Sequence, residues 1–123
     1  MSDSSQALVE QALVHHSAGR LQEAKAIYER VLSTDPNNPP ALHLLGVLRS
    51  QVGDKIGGVD LIIKAIQQNP NVPEFHTNLS LVYIELGRPE QAVLSAQKAL
   101  ELNPRSLDAR NNFANALRLL RAR

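Results

Sequence analysis

The stretch "LGRPEQA", residues 86–92, decides the fold because it is not alone: "VGDKIGG" at 52–58 and "AGRLQEA" at 18–24 precede it at steps of 34 residues. Each has glycine second and a small residue seventh. Glycine recurs at Gly19, Gly53 and Gly87, proline at Pro36, Pro70 and Pro104, and a small residue at Ala24, Gly58 and Ala92. Three registers agreeing on one period define a repeated structural unit, which settles the architecture ahead of any local reading.

On both sides of each glycine the apolar residues fall at helical spacing, as in Leu42, Leu45 and Leu48 and then Val59, Ile62, Ile63 and Ile66. Each unit therefore reads as a helical hairpin. The glycine ends its first helix because it takes a left-handed conformation with no Cβ to clash. The second helix starts two residues later, with Pro89 in a first turn where its missing N–H is not needed. Asp35-Pro36, Asn69-Pro70 and Asn103-Pro104 close the units, since the residue before proline is pushed out of helical geometry. The spacing predicts first helices over 5–18, 39–52 and 73–86, second helices over 21–34, 55–68 and 89–102, and a final helix over 107–121. Where the two helices of a hairpin cross closely, only Ala or Gly avoids forcing the axes apart, which explains positions 24, 58 and 92. Four residues on, Tyr28, Ile62 and Ala96 lie on the same face and point toward the next unit. One hairpin cannot bury both faces, so such units are stable only when stacked.

Composition narrows the function classes. Apolar residues make up 43% of the 123 and charged residues 20%, the balance of a soluble globular protein. With 13 Lys plus Arg against 12 Asp plus Glu, the net charge of +1 supplies no field for nucleic acid or membrane. The absence of cysteine removes disulfides, thiolate metal sites and a cysteine nucleophile. "MSDSSQALVEQ" has an acidic residue where a signal peptide needs a basic one, and Ala41–Leu48 is far too short to span a bilayer. A soluble, cytoplasmic protein is expected.

The 34-residue hairpin, with Leu45-Gly46 in a first helix, Ala24 and Tyr28 four apart in a second and a closing proline, resembles the tetratricopeptide repeat. The resemblance implies an all-α fold, a right-handed superhelix (α-solenoid) of three helical hairpins plus a capping or half-repeat helix. It takes the chain as a single domain over 1–123, with repeats 5–38, 39–72 and 73–106 and the last helix at 107–121. Departures are several. The first repeat has Gln11-Ala12 for Leu-Gly and His15 for an aromatic; the second has Arg49 at the tyrosine position and Gly57 beside Gly58. The third has Leu79-Ser80 and keeps Tyr83, but has Ala96 for a large residue. Two glycines inside a helix cost about 1 kcal/mol each relative to alanine, so 55–60 is expected to be the loosest turn.

In this family the first helices line a concave groove that holds a peptide or helix of a partner. Carried over by position, the groove takes Val9, Leu13 and His16 from the first repeat and His43, Val47 and Ser50 from the second. The third gives Thr77, Asn78, Leu81 and Glu85, and the last helix Asn111, Asn112, Asn115 and Arg118. Asn78 and Asn112 are 34 apart and could each offer a donor and an acceptor to a bound main chain. This is similar to the asparagine ladder of O-linked N-acetylglucosamine transferases, but with two rungs, since the earlier positions are Leu44 and Glu10; a merely exposed polar face is the alternative reading. Cochaperone repeats that grip C-terminal carboxylates of heat-shock proteins use Lys, Asn and Arg where this chain has Val9, Leu13, Leu44, Glu74 and Asn78. No such binding is expected, because no cation is present and Glu74 repels a carboxylate.

Nothing reads as catalysis. His15 and His16 are adjacent and point apart on a helix, and His15 sits at an inter-helix packing position. His16 and His43 with Glu85 are the one set that could share a metal, and they lack supporting second-shell groups, so neither metal nor cofactor is expected. Arg105, Arg110, Arg118, Arg121 and Arg123 gather against Asp108 near the end with no aromatic platform for bases, and suit a helix C-terminus better than nucleic acid. On the last helix Phe113, Leu117 and Leu120 share a face that would cover the third hairpin, with Ala116 and Leu119 left over. Either more chain follows that edge or two copies meet there. The expectation is a non-catalytic module binding a protein or peptide partner in its groove. The alternative is the substrate-presenting repeat segment of a larger glycosyltransferase of the O-linked N-acetylglucosamine type.

Overall fold

The computed structural model describes residues 2–122; Arg123, one of the terminal cations, lies outside them. Among the described residues there are seven α-helices and no strand: α1 (Ser2–Ser17), α2 (Leu21–Thr34), α3 (Pro39–Gln51), α4 (Lys55–Gln68), α5 (Pro73–Glu85), α6 (Pro89–Leu102) and α7 (Leu107–Arg121). They form two compact units, Met1–Gln68 and Asn69–Arg123. The first contains the hairpins α1/α2 and α3/α4, the second the hairpin α5/α6 and α7. None of the helices is long and apolar enough to cross a membrane.

The second helices and α7 have the bounds expected from spacing, whereas α1, α3 and α5 each end one residue early and α1 begins three residues early. The early ends come from the way glycine terminates these helices. Gly19, Gly53 and Gly87 have φ of 82°, 104° and 73°, and they are the positive-φ residues among those described. The N–H beyond each glycine reaches back to a carbonyl five residues earlier: Arg20 to His15 at 2.8 Å, Asp54 to Arg49 at 2.8 Å and Arg88 to Tyr83 at 2.9 Å. The glycine N–H bonds His16, Ser50 or Ile84 at 3.1, 3.2 and 3.0 Å. This paired pattern satisfies carbonyls that the helix end would orphan, and it makes the residue before glycine a cap rather than a helical residue.

The following starts also repeat. Asn38 and Ser106 accept from the N–H of Ala41 at 2.9 Å and Ala109 at 3.1 Å. Val72, at the same place before α5, has no side-chain oxygen, and the Phe75 N–H bonds its carbonyl at 3.1 Å instead.

The small-residue positions do what close crossing demands. Ala24 and Ala92 are fully buried, as are Ala12 and Ser80 on the partner helices of their hairpins. In the middle hairpin the seam is backbone on backbone. A Cβ on Gly46 would stand 2.9 Å from the Gly58 carbonyl oxygen, and one on Gly58 would stand 2.7 Å from that of Gly46. Tyr28, Ile62 and Ala96, four residues on, have no exposed surface. Tyr28 joins Ala12, Ala24, Leu45 and Leu48 in one core cluster, and Val31 joins Val9 and Ala41 in another.

One expectation is corrected. Ala116 is fully buried on α7 together with Ala109, while Phe113, Leu117 and Leu120 are half-buried and Leu119 is exposed. A small residue on α7 packs closest, as in the other helices, so the larger side chains flank the contact rather than form it. Gly57 also has a packing reason. The Asp54 carboxylate folds over the start of α4, accepting the Gly57 N–H at 3.0 Å, and a Cβ on Gly57 would meet that carboxylate.

Gly57→Ala displaces a mobile side chain, so the lost cap and the gained helix propensity, each about 1 kcal/mol, should nearly cancel. Gly58→Ala meets backbone that cannot move aside, and should destabilise by about 1–3 kcal/mol. Urea titrations of the two variants check the contrast.

Candidate functional site

The side chains expected to meet a partner separate by burial. Leu13 and Leu81, at the same place in the first and third repeats, are 43% and 42% exposed. Glu85, Asn111 and Arg118 are also exposed, and His16, Val47, Thr77, Asn78, Asn112 and Asn115 are half-buried. Val9, His43 and Ser50 are buried. Val9 packs with Val31 and Ala41. Ser50 lies at the glycine seam, its Cβ 3.1 Å from where a Gly58 Cβ would be, and Lys55 Nζ donates to its carbonyl oxygen at 3.2 Å.

Two of the half-buried residues are clips between helices. In the first unit His16 of α1 bonds the Tyr28 hydroxyl of α2 through Nδ1 at 2.9 Å and Gln51 Oε1 of α3 through Nε2 at 2.7 Å. An amide oxygen only accepts, so Nε2 carries a proton, and in the neutral ring Nδ1 then accepts from the Tyr28 hydroxyl. Both ring nitrogens are thereby engaged. Burial pushes the Tyr28 hydroxyl up to about 12, keeping it protonated for this role. In the second unit both Asn112 amide hydrogens are used on α5: Nδ2 donates to the Thr77 carbonyl at 3.1 Å and to Ser80 Oγ at 3.0 Å. Only its oxygen is left for a main chain, so the second rung of the asparagine ladder is a half rung. His15 is half-buried and accepts from Arg20 Nε at 2.8 Å. Arg118 donates to Asn115 Oδ1. Among the described residues no group of three His, Cys, Asp or Glu side chains is arranged to hold a metal ion.

The structure adds one feature that the positional list missed. A cleft of about 310 Å³ in the first unit is lined by Gln6, Val9, Glu10, Asp35, Asn38 and Pro40. A cleft of about 230 Å³ in the second is lined by Pro73, Glu74, Thr77, Asn78, Asn103, Ser106 and Asp108. Apart from Pro73, each residue of the second cleft lies two periods after a residue of the first. The same construction thus occurs once in each unit: the start of one first helix facing the loop and opening turn of the next. Each cleft holds two carboxylates, Glu10 with Asp35 and Glu74 with Asp108, and among the described residues no Lys or Arg lines either. Asp35 accepts from Asn38 Nδ2 at 3.0 Å, and Glu10 from Gln6 at 3.5 Å. The signal that could have found this was the period applied to loop residues as well as to helix faces.

His43 is 6% exposed, and burial pushes its pKa down to about 4 from 6.5, so it is neutral in the fold. Between those values the unfolded chain binds more protons than the folded one, so stability is complete above about pH 6.5 and declines as the pH falls toward 4. A shift of that size corresponds to at most about 3 kcal/mol. Melting temperatures near pH 7.5 and near pH 4.5 should differ by several degrees more for the native chain than for His43→Gln; equal differences would show that His43 does not supply the pH dependence.

With this geometry in hand, the likenesses to known proteins are coherent. A family model described as tetratricopeptide repeat matches residues 73–106, the third repeat, and another of the same description matches 5–48. The chain is 30% identical over 94 residues to human protein O-mannosyl-transferase TMTC3 and 31% identical over 88 residues to human tetratricopeptide repeat protein 7A. These alignments take in 76% and 72% of the chain but a tenth of each relative, so the chain spans only a small part of their length. Among solved structures it resembles a mutant of Thermobaculum terrenum O-GlcNAc transferase, at 30% identity and TM-score 0.90, over 94% of this chain and 22% of that one. It also has the fold of the first repeat domain of Spaghetti (RPAP3) bound to an HSP90 peptide, at 19% identity and TM-score 0.91, over 98% and 96%. Matched by these models over more than half of its length, the chain belongs to the tetratricopeptide repeat family.

Proposed function

We propose that the chain is a non-catalytic module that holds a peptide or helix of another protein along the open faces of its first helices. The observation that carries this reading is the repeated cleft, together with an exposed leucine at the same place on the first helix that lines it, Leu13 in one unit and Leu81 in the other. Exposed aliphatic side chains next to satisfied polar groups are what a docked segment buries, and a periodic surface suits an extended one. In this reading Leu13, Val47, Leu81 and the amides of Asn78, Asn111 and Asn115 touch the partner. Val9, His43, Ser50, His16 and Asn112 hold the helices that present them.

The carboxylates of both clefts select against an acidic partner, because an incoming carboxylate would meet like charge with no cation to pair it. The RPAP3 domain is bound to the HSP90 peptide SRMEEVD. For this chain that peptide should give no saturation at about 100 μM in fluorescence anisotropy; micromolar affinity would contradict the assignment of the clefts.

A second reading has a specific observation behind it. The 30% identity to the O-GlcNAc transferase covers nearly the whole chain, and Asn78 and Asn112 repeat at one period. We infer from these that a substrate-presenting segment of a larger glycosyltransferase is the runner-up. A reading frame that continues into a glycosyltransferase domain would favour it.

The experiment that tests the main reading compares the proteins captured by the native chain and by Leu81→Glu combined with Asn78→Ala, after circular dichroism has established equal helix content. The variant should lose at least about tenfold of the specific partner, as expected when a buried leucine contact of ~2 kcal/mol becomes a charge. Recovery of the same proteins in the same amounts would rule out the first-helix faces as the working surface.

A further inference from the structure

Arg49 stands one period before Tyr83 and two before Leu117, a cation at a place that otherwise carries a large apolar side chain. Tyr83 is buried, whereas the Arg49 side chain is 40% exposed. Beside Arg49, α2 and α3 leave a cleft of about 360 Å³ whose lining includes Leu21, Lys25, Leu48, Arg49, Val52 and Asp54. Leu48 is buried, Leu21 half-buried and Val52 57% exposed, so the apolar lining runs from the core to the surface. At the same place in the second unit, two periods on, Val93, Leu117 and Leu120 replace Lys25, Arg49 and Val52, and all three are half-buried. The second unit packs aliphatic side chains where the first sets two cations around a cleft.

The charge of this cleft has a definite sign. Asp54 is engaged: Oδ1 accepts the Gly57 N–H at 3.0 Å, and Oδ2 lies 3.5 Å from Arg49, longer than a good hydrogen bond. Lys25 is half-buried, and among the described residues no carboxylate pairs with it. Two cations against one engaged carboxylate leave the cleft positive, the reverse of the repeated clefts with their two carboxylates each. Long cationic side chains lay their stems on apolar surface and keep the charged head at its edge. The result is an aliphatic seat with a positive rim.

We propose that this cleft is the docking site for a short extended segment of another protein in which a leucine-sized aliphatic residue adjoins Asp or Glu. The aliphatic side chain lies against Leu21, Leu48 and Val52, and the carboxylate meets Lys25 and the guanidinium of Arg49. A second copy of this chain is a poor occupant. Among the described residues the exposed large aliphatic with a carboxylate beside it in sequence is Leu107, next to Asp108, and the exposed Arg105 and Arg110 flank that pair and bring like charge to Lys25 and Arg49. The lining shares no residue with the repeated clefts or with the contacts assigned above, so the site holds or fails independently of them. One aliphatic contact and one partly solvated ion pair give an isolated segment an affinity on the order of 1 mM, which leaves no saturation at about 100 μM.

The probe is the capped peptide acetyl-Ala-Leu-Glu-Ala-amide, titrated to about 10 mM into the isotope-labelled whole chain and followed by the shifts of its backbone amides in NMR spectra. The shifts should saturate and centre on Lys25, Arg49 and Val52. Exchanging the peptide's glutamate for lysine, or its leucine for alanine, should weaken binding at least about fivefold, and so should Lys25→Glu in the chain. Arg49→Tyr, which installs the side chain found one period on, should abolish binding while circular dichroism shows the native helix content. Lys98→Glu, at a half-exposed lysine side chain on α6, should leave binding unchanged. Shifts centred elsewhere, no saturation, or binding indifferent to the peptide's charge, to Lys25→Glu or to Arg49→Tyr would overturn the proposal. So would sedimentation showing that the chain alone dimerises and that Lys25→Glu returns it to monomer, since the occupant would then be a second copy.

Discussion

The constraint on which the rest depends is how closely two helices of a hairpin can approach. Ala12 with Ala24, Gly46 with Gly58 and Ser80 with Ala92 are the small residues placed to allow it, and all are buried. At the middle seam there is no room for even a methyl group on either side. Close approach sets the azimuth of both helices, and that azimuth decides which side chains of the first helix face inward and which stay open. Glycine at positive φ then fixes the direction in which each second helix returns.

Most of this was legible in the sequence because it is written periodically. Gly19, Gly53 and Gly87 repeat a backbone requirement, and Pro36, Pro70 and Pro104 repeat a stop signal. The period also made legible which positions share a face, and hence that Leu13 and Leu81 are alike in exposure. Polar contacts between helices were hidden. Nothing near His16 announces Gln51, which is 35 residues away, nor near Asn112 the Thr77 carbonyl. A residue's place in a repeat gives its direction, but its hydrogen-bond partner depends on the residue at one other place, and that varies from repeat to repeat. Gly57 was opaque for a similar reason, its meaning lying in the side chain of Asp54.

The division between support and contact follows from these clips. His16, His43, Ser50 and Asn112 sit on first-helix positions that a family comparison assigns to a ligand, yet here they are buried or have their donors engaged inside the fold. Removing one of them would disturb the presentation of its neighbours as well as any contact of its own, which makes alanine scanning of this face ambiguous. The exposed leucines do not carry that ambiguity. They stand on helices, so binding need not order their backbone as it would that of a loop.

The most direct test of the first-helix faces as the working surface is therefore one that reads contact without removing any support. A photo-crosslinking residue placed at Leu81 and, separately, at the still more exposed Leu94 on α6 would be irradiated with the partner present. The account predicts covalent adducts from position 81 and none above background from position 94. Adducts from 94 with none from 81 would contradict it.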